Sequence, residues 1–152
     1  PGGVPRVGQI AERTRTVHVK DIERFTEISG DRNPLHYDEA VAKASRFGEI
    51  VVQGGVTSAI LNALVAEDLP GPGTVFLQVN WSFKAPVRPG DRLRMRMTVL
   101  SARPMGSRPG VGLVESRWQV FNQHDALVLE MSGWGMFGRR PAGAGGPADT
   151  AA

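Results

Sequence analysis

The stretch TSAILNALVAEDLPGPGTVFLQVNWSFK, residues 57–84, decides the predicted fold. Its first part, residues 57–69, is apolar around nearly the whole helical circumference, so a helix there must be buried. Its second part alternates apolar and polar residues from Val75 to Phe83, which is the pattern of a strand with one apolar face. A buried helix followed directly by such a strand predicts an α+β protein whose sheet packs on the helix.

Three further alternating runs follow, and a turn at residues 122–125 joins the last two. Beyond Met131 the alternation shifts by one residue, because the next large apolar residue is Trp134 and not residue 133. This shift predicts a β-bulge at Ser132 and Gly133. One buried helix and four long strands imply a hot-dog fold, a curved antiparallel sheet wrapped around a long central helix. An open sheet leaves edges that need cover, so we expect a homodimer or a dimer of dimers. The predicted inward residues are Leu93, Met95, Met97, Val99, Val114, Trp118, Val120, Leu127, Leu129 and Met131.

The N-terminal third carries shorter elements. The β-branched run at residues 14–19 predicts a strand, and residues 21–29 predict an amphipathic helix that ends at Gly30. A second short helix is predicted over residues 38–45, with Asp38 as its N-cap. The residues expected to face the core are Ile22, Phe25 and Ile28 in the first helix, and Ala40, Val41 and Ala44 in the second.

Length and composition limit the possible functions. A chain of 152 residues fits one domain, which we place at residues 1–140, followed by a flexible Gly/Ala/Pro-rich tail at residues 141–152. The absence of cysteine excludes a thiol nucleophile and cysteine-ligated metals. No apolar run approaches the roughly 18 residues that span a bilayer, and we expect a cytoplasmic protein that does not bind membranes. The aromatic residues fall on apolar faces, which argues against nucleic-acid binding.

The loop GDRNPLH, residues 30–36, carries polar groups suited to chemistry. Asp31 and His36 can converge on one water molecule if the loop curls, and Pro34 restrains its backbone. Such a pair suits acid–base work near neutral pH. The spacing alone fits an ordinary surface turn better, because Gly-Asp and Asn-Pro are common turn-forming pairs.

The wider segment FTEISGDRNPLHYDEAVAKAS, residues 25–45, resembles the signature of (R)-specific enoyl-CoA hydratases, in the MaoC-like dehydratase branch of the hot-dog superfamily. Residues 51–64 and 69–91 resemble the family's central-helix entrance and the strand and turn that follow it. The resemblance covers residues 7–137 and implies a hydro-lyase. Its reaction would be the reversible addition of water to trans-2-enoyl-CoA, which gives (R)-3-hydroxyacyl-CoA.

The resemblance also implies roles for individual residues. Asp31 and His36 would be the acid–base pair, with the base and the acid not assigned between them. Asn33 would help to hold the water, and the backbone N–H of Gly54 would bind the thioester oxygen. Coenzyme A would be part of the substrate, and no cofactor or metal is expected.

Further positions are implied to contact the substrate. Val52, Gln53 and Gly55 would line the acyl or thioester pocket, although the family most often has His at position 53 and a larger apolar residue at position 55. Asn62, expected to be buried, would orient the catalytic pair or bind a backbone group. Lys84 and Arg88 would contact coenzyme A.

Two other functions compete with this one. A 3-hydroxyacyl-carrier-protein dehydratase of fatty-acid or polyketide synthesis would run the same reaction in reverse on an acyl carrier protein. A non-catalytic acyl-CoA-binding hot-dog protein would keep the pocket without needing Asp31 and His36. A thioesterase is disfavoured, since it would leave the Asp-x-Asn-Pro-x-His loop unexplained.

Overall fold

One five-stranded antiparallel sheet organises the structure, a computed structural model that describes residues 5–138. The spatial order of the strands is β1-β3-β4-β5-β2, so β1 and β2 form the two edges. This arrangement confirms the predicted α+β class and the antiparallel sheet. The strands are β1 (Ile10–Thr16), β2 (Val75–Phe83), β3 (Arg92–Pro104), β4 (Val111–Phe121) and β5 (Leu127–Gly138).

Three helices accompany the sheet: α1 (Val19–Ser29), α2 (Glu39–Ala44) and α3 (Gly54–Ala63). A short 3-10 turn, Pro34–His36, lies between α1 and α2, and a wider turn of π type, Leu64–Asp68, extends α3. The central helix therefore begins three residues earlier than the sequence pattern predicts.

The core lies between α3 and the inner face of the sheet. Ile60, Leu61 and Leu64 of the helical segment share one buried cluster with the inward side chains of β3 and β4. The predicted alternation of these two strands is confirmed, because every second residue is buried from Leu93 to Val99 in β3 and from Gly112 to Val120 in β4. Burial of these side chains, at about 1.5–3 kcal/mol for each large one, holds the sheet on the helix.

The apolar face predicted for β2 is largely uncovered. The side chains of Val75, Leu77 and Phe83 are 53%, 51% and 58% exposed. The reason is that β2 is an edge strand that pairs only with β5, and its register shifts between Phe76 and Gln78.

The prediction of a β-bulge at Ser132 and Gly133 of β5 is wrong. β5 pairs with β4 without a shift through Ser132, Gly133 and Trp134, and the irregularity lies across from it on β2. The inward phase continues from Met131 through Gly133 and Gly135. Because glycine has no side chain, the apolar pattern wrongly marks Trp134 as the next inward residue.

The strand predicted at residues 14–19 ends at Thr16, and Val19 already belongs to α1. The cause is an N-terminal cap, since the His18 N–H donates to the Asp21 carboxylate over 2.9 Å. Burial raises the pKa of Asp21, but the hydrogen bonds from the His18 N–H and the Arg15 guanidinium outweigh it and leave the pKa lowered.

The apolar faces predicted for α1 and α2 need correction. Ile22 of α1 is buried and Phe25 is half-buried, whereas Ile28 is 87% exposed. Asp38 caps α2 as predicted, through the N–H groups of Ala40 and Val41. Its six residues make fewer than two turns, and only Ala42 among them is buried. Ala42 lies outside the predicted face formed by Ala40, Val41 and Ala44.

The tail predicted at residues 141–152 lies outside the described residues, and the domain boundary at residue 140 stays a prediction. Among residues 5–138, no helix has the length and the apolar character needed to cross a bilayer.

Candidate active site

The loop that follows α1 is curled by its own side chains. Gly30 ends the helix with a φ of 76°, a left-handed conformation that glycine adopts at no steric cost. The Asp31 carboxylate then accepts the Asn33 N–H, and the Asn33 side-chain oxygen accepts the Leu35 N–H, over 3.0 and 3.1 Å. These bonds turn the chain so that Asp31 and His36 lie on the same side of the loop.

One backbone contact fixes the His36 ring. Its Nδ1 lies 2.6 Å from the carbonyl oxygen of Val51, and the ring is 11% exposed. Because a carbonyl can only accept, Nδ1 must carry the proton. The Nε2 atom of the neutral ring is therefore an acceptor, free to take a proton from a substrate or a water molecule.

That Nε2 atom faces Asp31. The distance from His36 Nε2 to Asp31 Oδ2 is 3.8 Å, and the Asp31 side chain is 39% exposed. The gap is too long for a direct hydrogen bond, and both atoms are acceptors when the ring is neutral. A water molecule at about 2.8 Å from each can donate one proton to either atom, and this geometry suits a pair that activates water.

A cavity of about 740 Å³ opens beside this pair. Its wall contains His36, Gly54 and Thr57, and Phe83 closes one side. Gly54 is the first residue of α3, where the backbone N–H groups have no partner within the helix and the helix dipole favours negative charge. Glycine leaves this N–H approachable, because a Cβ there would lie 2.7 Å from the Phe83 ring and would force that ring to move. Gly54, whose N–H group is suited to binding an anion, thus lines the same cavity as His36.

Cations surround the opening of the cavity. Arg46, Lys84 and Arg88 all contribute to its lining, and Arg88 forms an ion pair with Glu49. Arg46 also lies over the ring of Phe47, at 4.9 Å from its centre. A ligand that carries phosphate groups outside the cavity would meet favourable charge here.

The comparison with known protein families identifies the family of this chain. The family model described as "MaoC like domain" matches residues 5–116. The chain belongs to the MaoC-like family.

Individual relatives of this MaoC-like protein agree with that result. An (R)-specific enoyl-CoA hydratase of Aeromonas caviae is 33% identical over 123 residues, which cover 81% of this chain and 88% of the relative. A 3-hydroxybutyryl-CoA dehydratase of Methylorubrum extorquens is 36% identical over 90 residues, and the match spans 59% of this chain and 57% of that protein's own length. These relatives confirm the predicted hydro-lyase class.

A solved structure shows the same fold. The R-hydratase PhaJ1 of Pseudomonas aeruginosa, in the unliganded form, superposes with a TM-score of 0.77 at 34% identity. The superposition covers 90% of this chain and 84% of that one. The hot-dog fold predicted for this MaoC-like protein is confirmed.

The structure brings together several of the residues predicted from sequence. Val52, Gly54, Lys84 and Arg88 line the cavity with His36. Asp31 does not line it and lies beside it, at its 3.8 Å separation from His36.

The other predicted positions lie elsewhere in this MaoC-like protein. Gln53 is buried and its amide contacts α1, and Gly55 packs against the Phe25 ring, so neither lines the cavity. The Asn33 side-chain oxygen accepts the Leu35 N–H and so helps to shape the loop, and its role in holding water stays a prediction. Asn62 is exposed, so its predicted burial is wrong; the sheet covers the opposite side of α3.

The lining residues that sequence reasoning missed include Arg46, Phe47, Thr57 and Phe83. Thr57 lies three positions after Gly54, so helical spacing could have placed it on the same side of α3. Arg46 and Phe47 follow α2 in a loop that carries no pattern of its own, and Phe83 appeared only as one residue of an apolar strand.

Proposed function

We propose that this protein adds water reversibly to trans-2-enoyl-CoA to give (R)-3-hydroxyacyl-CoA. One observation carries the proposal: His36 Nε2 and Asp31 Oδ2 lie 3.8 Å apart, beside a cavity whose wall contains Gly54. Membership of the MaoC-like family and the similarity to an (R)-specific enoyl-CoA hydratase support it.

The reaction begins with a water molecule held by Asp31 and His36. As its oxygen forms a bond to C3 of the enoyl group, one of its protons passes to the pair. Electrons of the C2–C3 double bond move towards the thioester carbonyl, which gains enolate character. The pair then delivers a proton to C2. The product has a hydroxyl on C3 and a hydrogen on C2, so the addition is balanced without an electron acceptor.

The developing charge on the thioester oxygen needs a donor. The N–H of Gly54 suits this role because it is fixed at the start of α3 and needs no rearrangement during the reaction. A donor of this kind typically lowers the barrier by about 2.7–4 kcal/mol. The acyl chain would occupy the cavity beyond the donor, against apolar residues such as Val52 and Val128.

The cations at the opening would face the phosphates of coenzyme A. Lys84 and Arg46 are exposed there. The same charges also suit an acidic acyl carrier protein, which makes a 3-hydroxyacyl-carrier-protein dehydratase the second candidate. Neither substrate requires a metal or a further cofactor.

We also propose that two chains form the functional unit through β2. A difference between the two edge strands supports this pairing. β2 leaves the apolar residues Val75 and Leu77 exposed, whereas β1 carries the charged residues Glu12 and Arg13. Pairing of two β2 strands would bury that apolar edge and satisfy its backbone groups.

The test of the proposed function follows the loss of the enoyl-thioester absorbance band over a series of acyl-CoA chain lengths, with the chirality of the product assigned. The proposal expects hydration to the (R) product. Faster dehydration of a carrier-bound 3-hydroxyacyl substrate would favour the second candidate, and release of free thiol would favour a thioesterase. Binding of acyl-CoA without turnover would identify a non-catalytic acyl-CoA-binding protein.

A further inference from the structure

Three polar side chains from separate segments meet at one hydroxyl next to the Asp31–His36 loop. Thr26 lies in α1, Tyr37 directly follows His36, and Gln53 immediately precedes α3. Thr26 and Gln53 are buried, with Gln53 only 2% exposed. Buried polar groups of this kind are costly unless they are paired, so the way they are paired is informative.

The Thr26 hydroxyl is fully used. Its oxygen lies 2.8 Å from the Asp31 carbonyl, which can only accept, so the Thr26 proton points there. The two lone pairs of Thr26 Oγ1 are then available to the Gln53 Nε2 amide, at 3.0 Å, and to the Tyr37 hydroxyl. One donated and two accepted bonds complete the capacity of a hydroxyl.

Gln53 extends this network to the start of the central helix. Its second Nε2 proton points to the Ile22 carbonyl at 3.3 Å, so the amide joins two successive turns of α1. Its side chain makes no capping bond to α3, although Gln53 occupies the capping position directly before Gly54. The side chain thus connects α1 to the segment that presents Gly54.

The loop is consequently held at two points against the same short segment. One point is the His36 Nδ1 bond to the Val51 carbonyl. The other runs from the Asp31 carbonyl through Thr26 to Gln53. The two bonds secure the two members of the proposed catalytic pair separately.

We propose that Thr26, Tyr37 and Gln53 form a positioning network, in which the Thr26 hydroxyl sets the place of Asp31 relative to His36 and Gly54. This inference rests on the proposed function for its effect on turnover. Removal of the hydroxyl leaves the Asp31 carbonyl, the Gln53 amide and the Tyr37 hydroxyl each without this partner, and the loop can then move away from the segment before α3.

The test compares Thr26→Val, which removes the hydroxyl at nearly constant shape, with Thr26→Ser, which keeps it. Thr14→Val, an exposed threonine of β1, is the matched control. With crotonyl-CoA as substrate, Thr26→Val is expected to lower kcat about 10- to 100-fold, because small displacements of catalytic groups have effects of that size. We expect KM to stay within about twofold, since the substrate cavity is untouched, and Thr26→Ser to restore kcat.

Two further measurements separate positioning from general stabilisation. In an Asp31→Ala background, Thr26→Val should change kcat by less than about twofold, because its effect acts through Asp31. Hydrogen exchange, which needs no activity, should show faster exchange at the amides of residues 33–38 in Thr26→Val, with β3 and β4 unchanged.

Each outcome decides the proposal. The proposal would be overturned if Thr26→Val lowered kcat as much in the Asp31→Ala background as in the wild-type protein. Faster exchange spread evenly over the whole sheet would also overturn it. Unchanged exchange at residues 33–38 would also overturn it, whatever the activity. If the wild-type protein hydrates no enoyl-CoA of the chain-length series, the proposed function fails, and a local gain in exchange in Thr26→Val would still establish the network as the tether of this loop.

Discussion

The Nδ1 atom of His36 lies 2.6 Å from the carbonyl oxygen of Val51, and this contact orients the ring on which the proposed chemistry depends. Val51 lies three residues before Gly54, so the same short segment fixes the imidazole tautomer and begins the helix that presents the proposed thioester donor. The His36 ring and the N–H of Gly54 are therefore both fixed by this one segment.

Substitution of the two adjacent glycines should have different consequences. A Cβ at Gly54 would lie 2.7 Å from the exposed Phe83 ring, which has room to move, whereas a Cβ at Gly55 would lie 2.0 Å from the Phe25 ring that packs on the core. We expect Gly54→Ala to lower kcat/KM about tenfold or more with little change in stability. Gly55→Ala should lower the free energy of unfolding by about 1–3 kcal/mol through overpacking. Urea unfolding and crotonyl-CoA hydration measure the two effects; full activity in Gly54→Ala would contradict the role of Gly54.

The charge of Lys84 should matter only for substrates that carry phosphates. Lys84→Ala is expected to raise the KM for crotonyl-CoA about two- to fivefold, the size of one exposed ionic contact. The KM for crotonyl-pantetheine, which lacks the nucleotide phosphates, should not change. Lys20→Ala, an exposed lysine of α1, is the control. Equal effects on both substrates would show that Lys84 does not contact the nucleotide part.

The sequence predicted most of this architecture because the strongest signals are local. The two-residue period of β3 and β4 identified their buried faces, and Gly30 and Asp38 marked the ends of the helices on either side of the loop. Residue spacing did not show that Asp31 and His36 meet, and the family resemblance supplied that expectation.

Other features depend on contacts between distant parts of the chain. Gln53 was expected in the pocket, but its amide is paired with Thr26, 27 residues earlier, and no local pattern reveals that bond. The exposure of Asn62 depends on which side of α3 the sheet covers. The apolar pattern of β2 indicated a strand correctly but could not indicate that it forms an edge.

The exposed edge of β2 predicts the behaviour of the protein in solution. Sedimentation should give a mass of at least twice the 16.4 kDa of one chain. Leu77→Lys should shift the protein towards the single-chain mass, because a charge on an edge strand opposes edge-to-edge pairing. Ile10→Lys, at an exposed apolar position on the opposite edge, should leave the mass unchanged. A wild-type protein with the mass of one chain would refute the proposed pairing.

Acid should weaken the fold through Asp21. Its folded-state pKa is lowered, so its contribution to stability is complete above the unfolded-state pKa of about 3.9 and is lost as the pH falls through the folded-state value. Asp21→Asn should reduce the free energy of unfolding by about 1–3 kcal/mol at neutral pH, and the difference from wild type should shrink below about pH 4. Urea titrations over this pH range test the prediction, with Glu23→Gln in the same helix as the control. If the difference in the free energy of unfolding between wild type and Asp21→Asn did not change with pH, the charge of the Asp21 carboxylate would be excluded as its source.

The central claim is that Asp31 and His36 act together on one water molecule. The most direct measurement is the rate of crotonyl-CoA hydration by wild type, Asp31→Ala, His36→Ala and the control His124→Ala, in a turn away from the cavity, with circular dichroism to verify the fold. We predict that each of the first two substitutions lowers kcat by at least about a hundredfold, the scale of a lost acid–base group, while His124→Ala retains wild-type turnover. Wild-type turnover in a folded Asp31→Ala or His36→Ala protein would contradict the claim.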